Sequence, residues 1–194
     1  MKKDIIHLLA LTAILLWSSC CTNKVKPVIE PDKDIETRIE KILSGMTLEE
    51  KVGQMAQITI TVIQNNDKDG NPQWIPSMLD SVITKYKVGS ILNVINEQAQ
   101  TRKFTSDMIK ELQEKSMKEL GIPCLYGLDQ IHGASYIADA TLFPQEINVA
   151  ATFNREHAFN MGEVTGCESR AALNPWSFSP TLDLGRDQRW PRLW

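Results

Sequence analysis

A regular alternation of helical and strand patterns along residues 35–184 most constrains the fold of this 194-residue chain. Helical patterns cover residues 35–45, 47–55, 75–86, 104–120 and 154–172. Strand patterns cover residues 54–63, 87–94, 124–129 and 176–184. Helices and strands that alternate in this way form βα units on a parallel sheet. We therefore predict an α/β fold.

Local signals refine these boundaries. Thr47 and Glu50 have the spacing of a capping box, and Gly121 follows the last apolar residue of a long amphipathic helix. The composition of residues 64–73 and 141–153 predicts irregular connections rather than regular structure.

The N-terminus has the organisation of an export signal. Lys2 and Lys3 precede an apolar run at residues 5–17, which is shorter than the roughly 20 residues that span a bilayer. The Ser-Ser-Cys sequence that follows resembles a bacterial lipobox. We predict a lipoprotein signal peptide at residues 1–19, with Cys20 as the lipidated N-terminus. The alternative is an ordinary cleaved signal followed by incidental cysteines.

Residues 20–34 contain two prolines and no apolar periodicity, so they are predicted to be a surface tether. The protein is then expected in the periplasm or at the outer membrane and cell surface of a Gram-negative bacterium, held by its lipid anchor. Export permits disulfides, but Cys124 and Cys167 lie in an apolar strand and a helix pattern. We expect two buried free thiols.

The charge argues against one class of partner. The formal net charge is −3, from 21 Lys and Arg against 24 Asp and Glu, and this excludes nucleic acid as the main partner. The last predicted strand, 176–184, is followed directly by a final stretch of ten residues, GRDQRWPRLW, that ends at Trp194. Because that strand would form an uncovered edge, we expect the sequence to be the front part of a longer protein.

Polar residues cluster where predicted strands end, which is the face where parallel sheets and barrels place their active sites. Asp129 closes a strand, and His132 follows three residues later. Two interpretations remain open: a functional acid with its histidine, or a loop cap with a histidine bonded to the backbone.

Two further clusters are considered. The first follows the last strand and consists of Asp183, Arg186, Asp187, Arg189 and Arg192 around Trp190. It is either a self-neutralising network or a polar ligand site, since arginine forks and an indole face suit a sugar. The second consists of Glu163, Glu168 and Arg170 in a helix, and we expect it to be a solvated face.

Other chemistries lack their sequence patterns. The chain has no glycine-rich phosphate loop and no Cys-x-x-Cys pair, and His132 and His157 do not have metal-ligand spacing. We predict neither a metal nor an organic cofactor.

Four segments resemble, in the family's order, the motifs of glycoside hydrolase family 3. They are MTLEEKVGQM at 46–55, GLDQIHG at 127–133, TLFPQEINVAATFN at 141–154 and WSFSPTLDLGRDQRWPR at 176–192. The resemblance implies that residues 35–194 form the first half of a (β/α)8, TIM-like barrel, truncated at the end of the chain. It also implies that Asp129 and Arg192 hydrogen-bond the hydroxyls of a terminal sugar.

The family's nucleophile lies in a Ser-Asp-Trp-like motif that this sequence lacks. Its one Ser-Asp pair, Ser106-Asp107, lies inside a predicted helix and precedes Met108. The nucleophile and the acid/base are therefore expected beyond Trp194, no catalytic residue is assigned, and the chain alone is expected to be inactive.

The function implied is that of a retaining, exo-acting β-glycosidase of the β-glucosidase type. Its substrate would be an oligosaccharide or β-glucoside, from which it hydrolyses terminal β-linked sugars in carbohydrate catabolism. The alternative is a non-catalytic glycan-binding lipoprotein or an inactive remnant.

Overall fold

The computed structural model describes residues 31–182 and 186–189. The predicted signal peptide with Cys20 lies outside this range, as do Asp183, Trp190 and Arg192. Among the helices of the described residues, none is long and apolar enough to cross a membrane. The chain divides into two compact units, Met1–Gly45 and Met46–Trp194.

The described part of the first unit is helix α1, Lys33–Gly45, which confirms the predicted helix. The Asp32 carboxylate accepts hydrogen bonds from the amides of Asp34 and Ile35, at 2.9 and 3.2 Å, and so caps its first turn.

The second unit alternates helices and strands. Its helices are α2 (Leu48–Met55), α3 (Pro76–Asp80, continued by a π-helical turn at Ser81–Lys85), α4 (Arg102–Leu120), α5 (Glu146–Ala150) and α6 (Arg155–Ala171). Its strands are β1 (Gln57–Thr59), β2 (Gln64–Asn66), β3 (Pro72–Trp74), β4 (Ser90–Leu92), β5 (Gln100–Thr101), β6 (Leu125–Leu128), β7 (Ile137–Ala138) and β8 (Trp176–Ser177).

The main sheet has four parallel strands in the order β1-β4-β6-β8. Within this sheet, each strand therefore lies next to the strand of the sheet that precedes it in the sequence, and a helical connection joins the two. This is the arrangement of consecutive βα units in one half of a (β/α)8 barrel, and the predicted α/β fold is confirmed. Strands β1 and β8 form the two edges of the sheet.

The observed strands are shorter than the sequence patterns indicate. After Thr59 the chain leaves the sheet through a 3-10 turn at Ile60–Val62, which buries the side chains of Ile60 and Ile63 completely. The apolar residues that favoured a long strand therefore pack into the core from a turn and not from a strand.

The loop predicted at residues 64–73 is wrong, because it forms the antiparallel hairpin of β2 and β3. The carboxylate of Asp67 nucleates this turn by accepting hydrogen bonds from the amides of Asp69 and Asn71, at 2.9 and 2.8 Å. The predicted connection at 141–153 likewise contains helix α5.

The core lies between the sheet and the helices. Side chains from the sheet, chiefly Ile91, Tyr126 and Leu128, pack with Ile109 and Leu112 of α4, and all five are at most 3% exposed. Burial of this apolar surface holds the βα units together.

Two glycines bring helix α2 against the start of β4. A Cβ atom on Gly89 would lie 2.1 Å from the carbonyl oxygen of Gln54, and one on Gly53 would lie 2.1 Å from that of Tyr86. The Gly89 amide donates to the Gly53 carbonyl at 3.1 Å. This close approach leaves no space for a side chain.

The two cysteines of the folded part differ. Both are free thiols, but Cys124 is buried and Cys167 is exposed. The expectation of two buried thiols is therefore wrong for Cys167, which lies on a solvent-facing turn of α6.

Candidate functional site

Asp129 follows the carboxyl end of β6 and is exposed to solvent. Tyr126 and Leu128 of that strand point into the core. Since side chains alternate along a strand, Gly127 and Asp129 lie on the opposite face. In a barrel this second face is the interior, so Asp129 occupies its mouth. The predicted position of Asp129 at a strand end is confirmed.

An aromatic pair lines the same face beside β6. A Cβ atom on Gly127 would lie 2.4 Å from the ring of Phe178, so the ring covers the glycine. Phe178 in turn packs edge-to-face with Trp176, with ring centroids 4.9 Å apart and an interplanar angle of 82°. Trp176 keeps 38% of its surface exposed. A carboxylate and an exposed indole therefore border the same face, and together they suit a ligand with polar and apolar sides.

Gln130 anchors the chain immediately after Asp129. Its side chain is 1% exposed, and its Oε1 atom accepts a hydrogen bond from the Ser169 hydroxyl on α6 at 3.0 Å. This contact fixes the backbone at the carboxyl end of β6. The sequence analysis missed the role of Gln130, which depends on a contact 39 residues away.

His132 has a structural role. Its Nδ1 atom lies 3.1 Å from the carbonyl oxygen of Phe143, and the Phe143 amide donates to the His132 carbonyl at 3.0 Å. Because a carbonyl only accepts, Nδ1 carries the proton. Gly133 follows with a φ of 80°, which favours glycine. For His132 the interpretation of a histidine bonded to the backbone is confirmed, whereas the role of Asp129 stays a prediction.

The loop after β8 is fastened to α5. The amide of Thr181 donates to the carboxylate of Glu146, the first residue of α5, at 3.2 Å. Glu146 therefore holds the start of the loop that follows β8 and contains Arg186 and Arg189, which we call the arginine-rich loop. Asp183, Trp190 and Arg192 lie outside the described residues, and their predicted roles stay predictions.

Within that loop, Asp187 and Arg189 pair with each other. The Arg189 guanidinium donates to both carboxylate oxygens, with contacts of 2.6 to 3.2 Å. These hydrogen bonds lower the pKa of the Asp187 carboxyl and raise the pKa of Arg189. Both side chains are largely exposed. The self-neutralising interpretation therefore holds for this pair.

A hydrogen-bonded chain joins the carboxyl ends of the first three strands of the sheet. Asn93, with a φ of 79°, donates from Nδ2 to the Thr59 hydroxyl at 3.0 Å. Its carbonyl accepts from the Tyr126 hydroxyl at 2.6 Å. Burial raises the pKa of Tyr126, so the phenol stays protonated and keeps this bond. An asparagine directly after an apolar strand pattern is the sequence signal that could have identified this position, because asparagine adopts positive φ more readily than most residues.

The expectation of a solvated face formed by Glu163, Glu168 and Arg170 is wrong for Glu168 and correct for the other two residues. The Glu168 carboxylate accepts from the Thr141 amide and hydroxyl, at 2.9 to 3.1 Å. Glu163 and Arg170 are exposed. Glu168 therefore joins α6 to the loop that follows β7.

Comparison with known proteins gives the family. Residues 47–193 match the family described as glycosyl hydrolase family 3 N terminal domain. The chain belongs to glycoside hydrolase family 3. The match covers the second unit of the chain and includes the segments that carry Asp129, His132 and Arg192.

Individual family members give the same result. A lysosomal beta glucosidase of Dictyostelium discoideum is 33% identical over 82% of this chain and 20% of its own length. A periplasmic beta-glucosidase of Salmonella typhimurium is 26% identical over 79% of this chain and 17% of its own.

A solved structure, the exo-1,3/1,4-beta-glucanase of a Pseudoalteromonas species, superimposes with a TM-score of 0.67 at 29% identity. It covers 84% of this chain, and the chain covers 20% of it. The present chain thus spans about a fifth of the length of these family 3 proteins.

Proposed function

We propose that this chain is the front part of an exported, retaining, exo-acting β-glycosidase that releases terminal β-linked sugars from β-glucosides and oligosaccharides. The half-barrel supplies substrate binding, and the remainder of the enzyme supplies both catalytic carboxylates. Related proteins are named as beta-glucosidases and as an exo-acting beta-glucanase, which supports this reaction class.

The observation that carries the proposal is the position of Asp129. It is an exposed carboxylate at the mouth of the half-barrel, fixed through its neighbour Gln130 and bordered by the aromatic pair of Trp176 and Phe178. An ionised carboxylate accepts two strong hydrogen bonds from neighbouring sugar hydroxyls. We propose that Arg192 donates to further hydroxyls of the same sugar, so that the two residues orient its anomeric carbon.

Retention requires two catalytic carboxyl groups about 5 Å apart, one as nucleophile and one as acid and base. In this proposal the half-barrel positions the sugar against those groups. The half-barrel would contribute to catalysis through hydrogen bonds to the sugar that strengthen as the sugar ring distorts toward the oxocarbenium-like transition state.

The test is a comparison of Asp129→Ala with Asp107→Ala in the full-length enzyme. Asp107 is an exposed carboxylate on α4 that pairs with Lys103 at 2.6 Å, so it serves as a matched control. We expect kcat/KM for an aryl β-glucoside to fall about 100-fold or more in Asp129→Ala, since charged hydrogen bonds to a distorting sugar are strong. The control should stay within a factor of two. Equal activity of the two variants would reject the assignment.

We also propose that Cys20 is lipidated after removal of residues 1–19 and that residues 20–34 tether the domain to the membrane. The Lys2 and Lys3 charges, the apolar run and the Ser-Ser-Cys ending support this, and the Salmonella relative is named as periplasmic. Labelling with an alkyne fatty acid should mark the wild type and not the Cys20→Ala variant. Equal labelling of both proteins would contradict the proposal.

A further inference from the structure

Helix α1 carries an exposed apolar stripe along one side. Its large apolar side chains recur with the spacing of a helix face and are Ile35, Ile39, Ile42 and Leu43. Each of them keeps between 40% and 52% of its surface exposed, and no residue of α1 is buried. A helix with one apolar side gains free energy when that side is covered by a partner surface. We call these four residues the apolar stripe.

The length of α1 restricts which surface can cover the stripe. The helix has 13 residues and is therefore about 20 Å long. This is less than the hydrocarbon core of a bilayer, which is about 30 Å thick. An isolated helix of this length is only marginally stable in water. A surface that buries the stripe would therefore stabilise α1, and on a membrane the helix can only lie flat.

The chain connects α1 closely to the proposed lipid anchor. Asp32, whose carboxylate caps the first turn of α1, follows Cys20 by twelve residues. A chain segment of this length reaches at most about 40 Å. Such a short connection raises the effective concentration of a second contact to about the millimolar range. Once Cys20 is held in a bilayer, a weak apolar affinity is therefore enough to bring α1 onto the same bilayer.

The charges of α1 indicate what kind of contact this would be. The helix has three acidic and three basic side chains, which are Asp34, Glu36, Glu40, Lys33, Arg38 and Lys41. Because these charges cancel, anionic lipid headgroups neither attract nor repel the helix strongly. The free energy of binding would come from burial of the apolar stripe. Binding should therefore depend little on salt or on the content of anionic lipid.

We propose that α1 lies in the plane of the membrane to which the protein is anchored, with the apolar stripe buried at the boundary between lipid headgroups and acyl chains. The partner is a phospholipid surface. This inference rests on the proposed lipidation of Cys20 and adds a second contact between the same chain and the bilayer. Residues 20–32 then connect two points that are both held at the membrane.

The experiment places a photoreactive side chain on either side of α1 in the full-length lipidated enzyme. Ile39→p-benzoyl-phenylalanine probes the apolar stripe. Thr37→p-benzoyl-phenylalanine is the matched control, because Thr37 is an exposed residue two positions away on the opposite side of the same helix. Both proteins are reconstituted into phosphatidylcholine vesicles and into vesicles that also contain phosphatidylglycerol. After illumination and digestion, mass spectrometry identifies the molecule that each probe has joined.

We expect phospholipid adducts at position 39 to be at least five-fold more abundant than at position 37, with equal yields in the two kinds of vesicle. Adducts between position 39 and another peptide of the enzyme would show that protein covers the stripe, and they would overturn the inference. Equal phospholipid yields at the two positions, or none at position 39, would overturn it as well.

The same digests test the proposed lipidation separately. The mass of the N-terminal peptide shows whether Cys20 carries acyl chains. An acylated Cys20 without phospholipid adducts at position 39 rejects the inference on α1 and leaves the anchor standing. An unmodified Cys20 rejects the anchor and, with it, this inference. Neither result bears on the assignment of Asp129, which is tested by its own variant.

Discussion

The Glu168 carboxylate on α6 accepts hydrogen bonds from both the amide and the hydroxyl of Thr141, at 2.9 to 3.1 Å. Thr141 begins the TLFPQE segment, whose Glu146 holds the loop after β8 by accepting from the Thr181 amide. Through Glu168, the helix thus fixes a segment that in turn positions the arginine-rich loop.

Loss of the Glu168 carboxylate should destabilise the protein. Glu168→Ala leaves the Thr141 amide and hydroxyl without their charged acceptor. Because Thr141 is exposed and water can take the place of this acceptor, we expect the free energy of unfolding to fall by about 0.5–1.5 kcal/mol. Glu163→Ala on the same helix is the matched control, because Glu163 is exposed and makes no described hydrogen bond. Urea denaturation measures both, and an equal effect in the two variants would contradict this role.

Two glycine-to-alanine substitutions should change the free energy of unfolding in opposite directions. Gly89→Ala pushes a methyl group to 2.1 Å from the Gln54 carbonyl oxygen, a backbone atom that cannot move alone. We expect it to cost about 3 kcal/mol or more, or to prevent folding. Gly162→Ala, in the middle of α6, meets nothing within 4 Å and should stabilise the protein by about 0.5–1 kcal/mol. Thermal unfolding measures the change in melting temperature of each variant. A lowered melting temperature for Gly162→Ala would contradict the expectation that alanine stabilises the interior of α6.

The sequence predicted the helix ends that are set by interactions between residues close together in the chain. The Thr47 hydroxyl accepts from the Glu50 amide while the Glu50 carboxylate accepts from the Thr47 amide, as the capping box requires. Gly121 ends α4 with a φ of 68°, as expected of a helix C-terminus. These interactions span three or four residues, so the sequence alone specifies them.

Features that depend on distant partners were not predicted. Strands β5 and β7 are two residues each and pair across 37 residues, too short for a period to be visible. Glu168 resembles a solvated helix residue until Thr141 is placed beside it. Asp129 was predicted because a strand end is a local property, whereas Gln130 and Asn93 acquire their roles from contacts between elements.

The two thiols of the folded part should differ in reactivity. Cys167 is exposed on α6, whereas Cys124 is buried and its carbonyl accepts from the Gln113 side chain. Because only an accessible thiolate reacts, a maleimide at pH 7.5 should modify Cys167 in the native protein and Cys124 only after denaturant is added. Peptide mass spectrometry locates the label. Rapid native labelling of Cys124 would contradict its burial.

Alkaline pH should destabilise the fold through Cys124. Burial raises the pKa of this thiol from 9.0 to about 12. Below pH 9 the thiol is protonated in the folded and the unfolded chain, so its contribution to stability is constant. Between pH 9 and about 12 the unfolded chain gives up its proton while the folded one keeps it, so stability falls by up to about 1.4 kcal/mol per pH unit.

The variant Cys124→Ala removes this titrating group and should flatten the decline in the free energy of unfolding above pH 9. Part of the decline should remain, because burial also raises the pKa of Tyr126. This phenol therefore ionises more readily in the unfolded chain than in the folded one, which also lowers stability at alkaline pH. Cys167→Ala is the control, because it removes the exposed thiol of α6 and leaves Cys124 in place, and we expect its slope to match that of the wild type. Urea titrations at pH 8, 9 and 10 measure the three slopes. If Cys124→Ala and Cys167→Ala decline equally steeply, burial of Cys124 does not control alkaline stability.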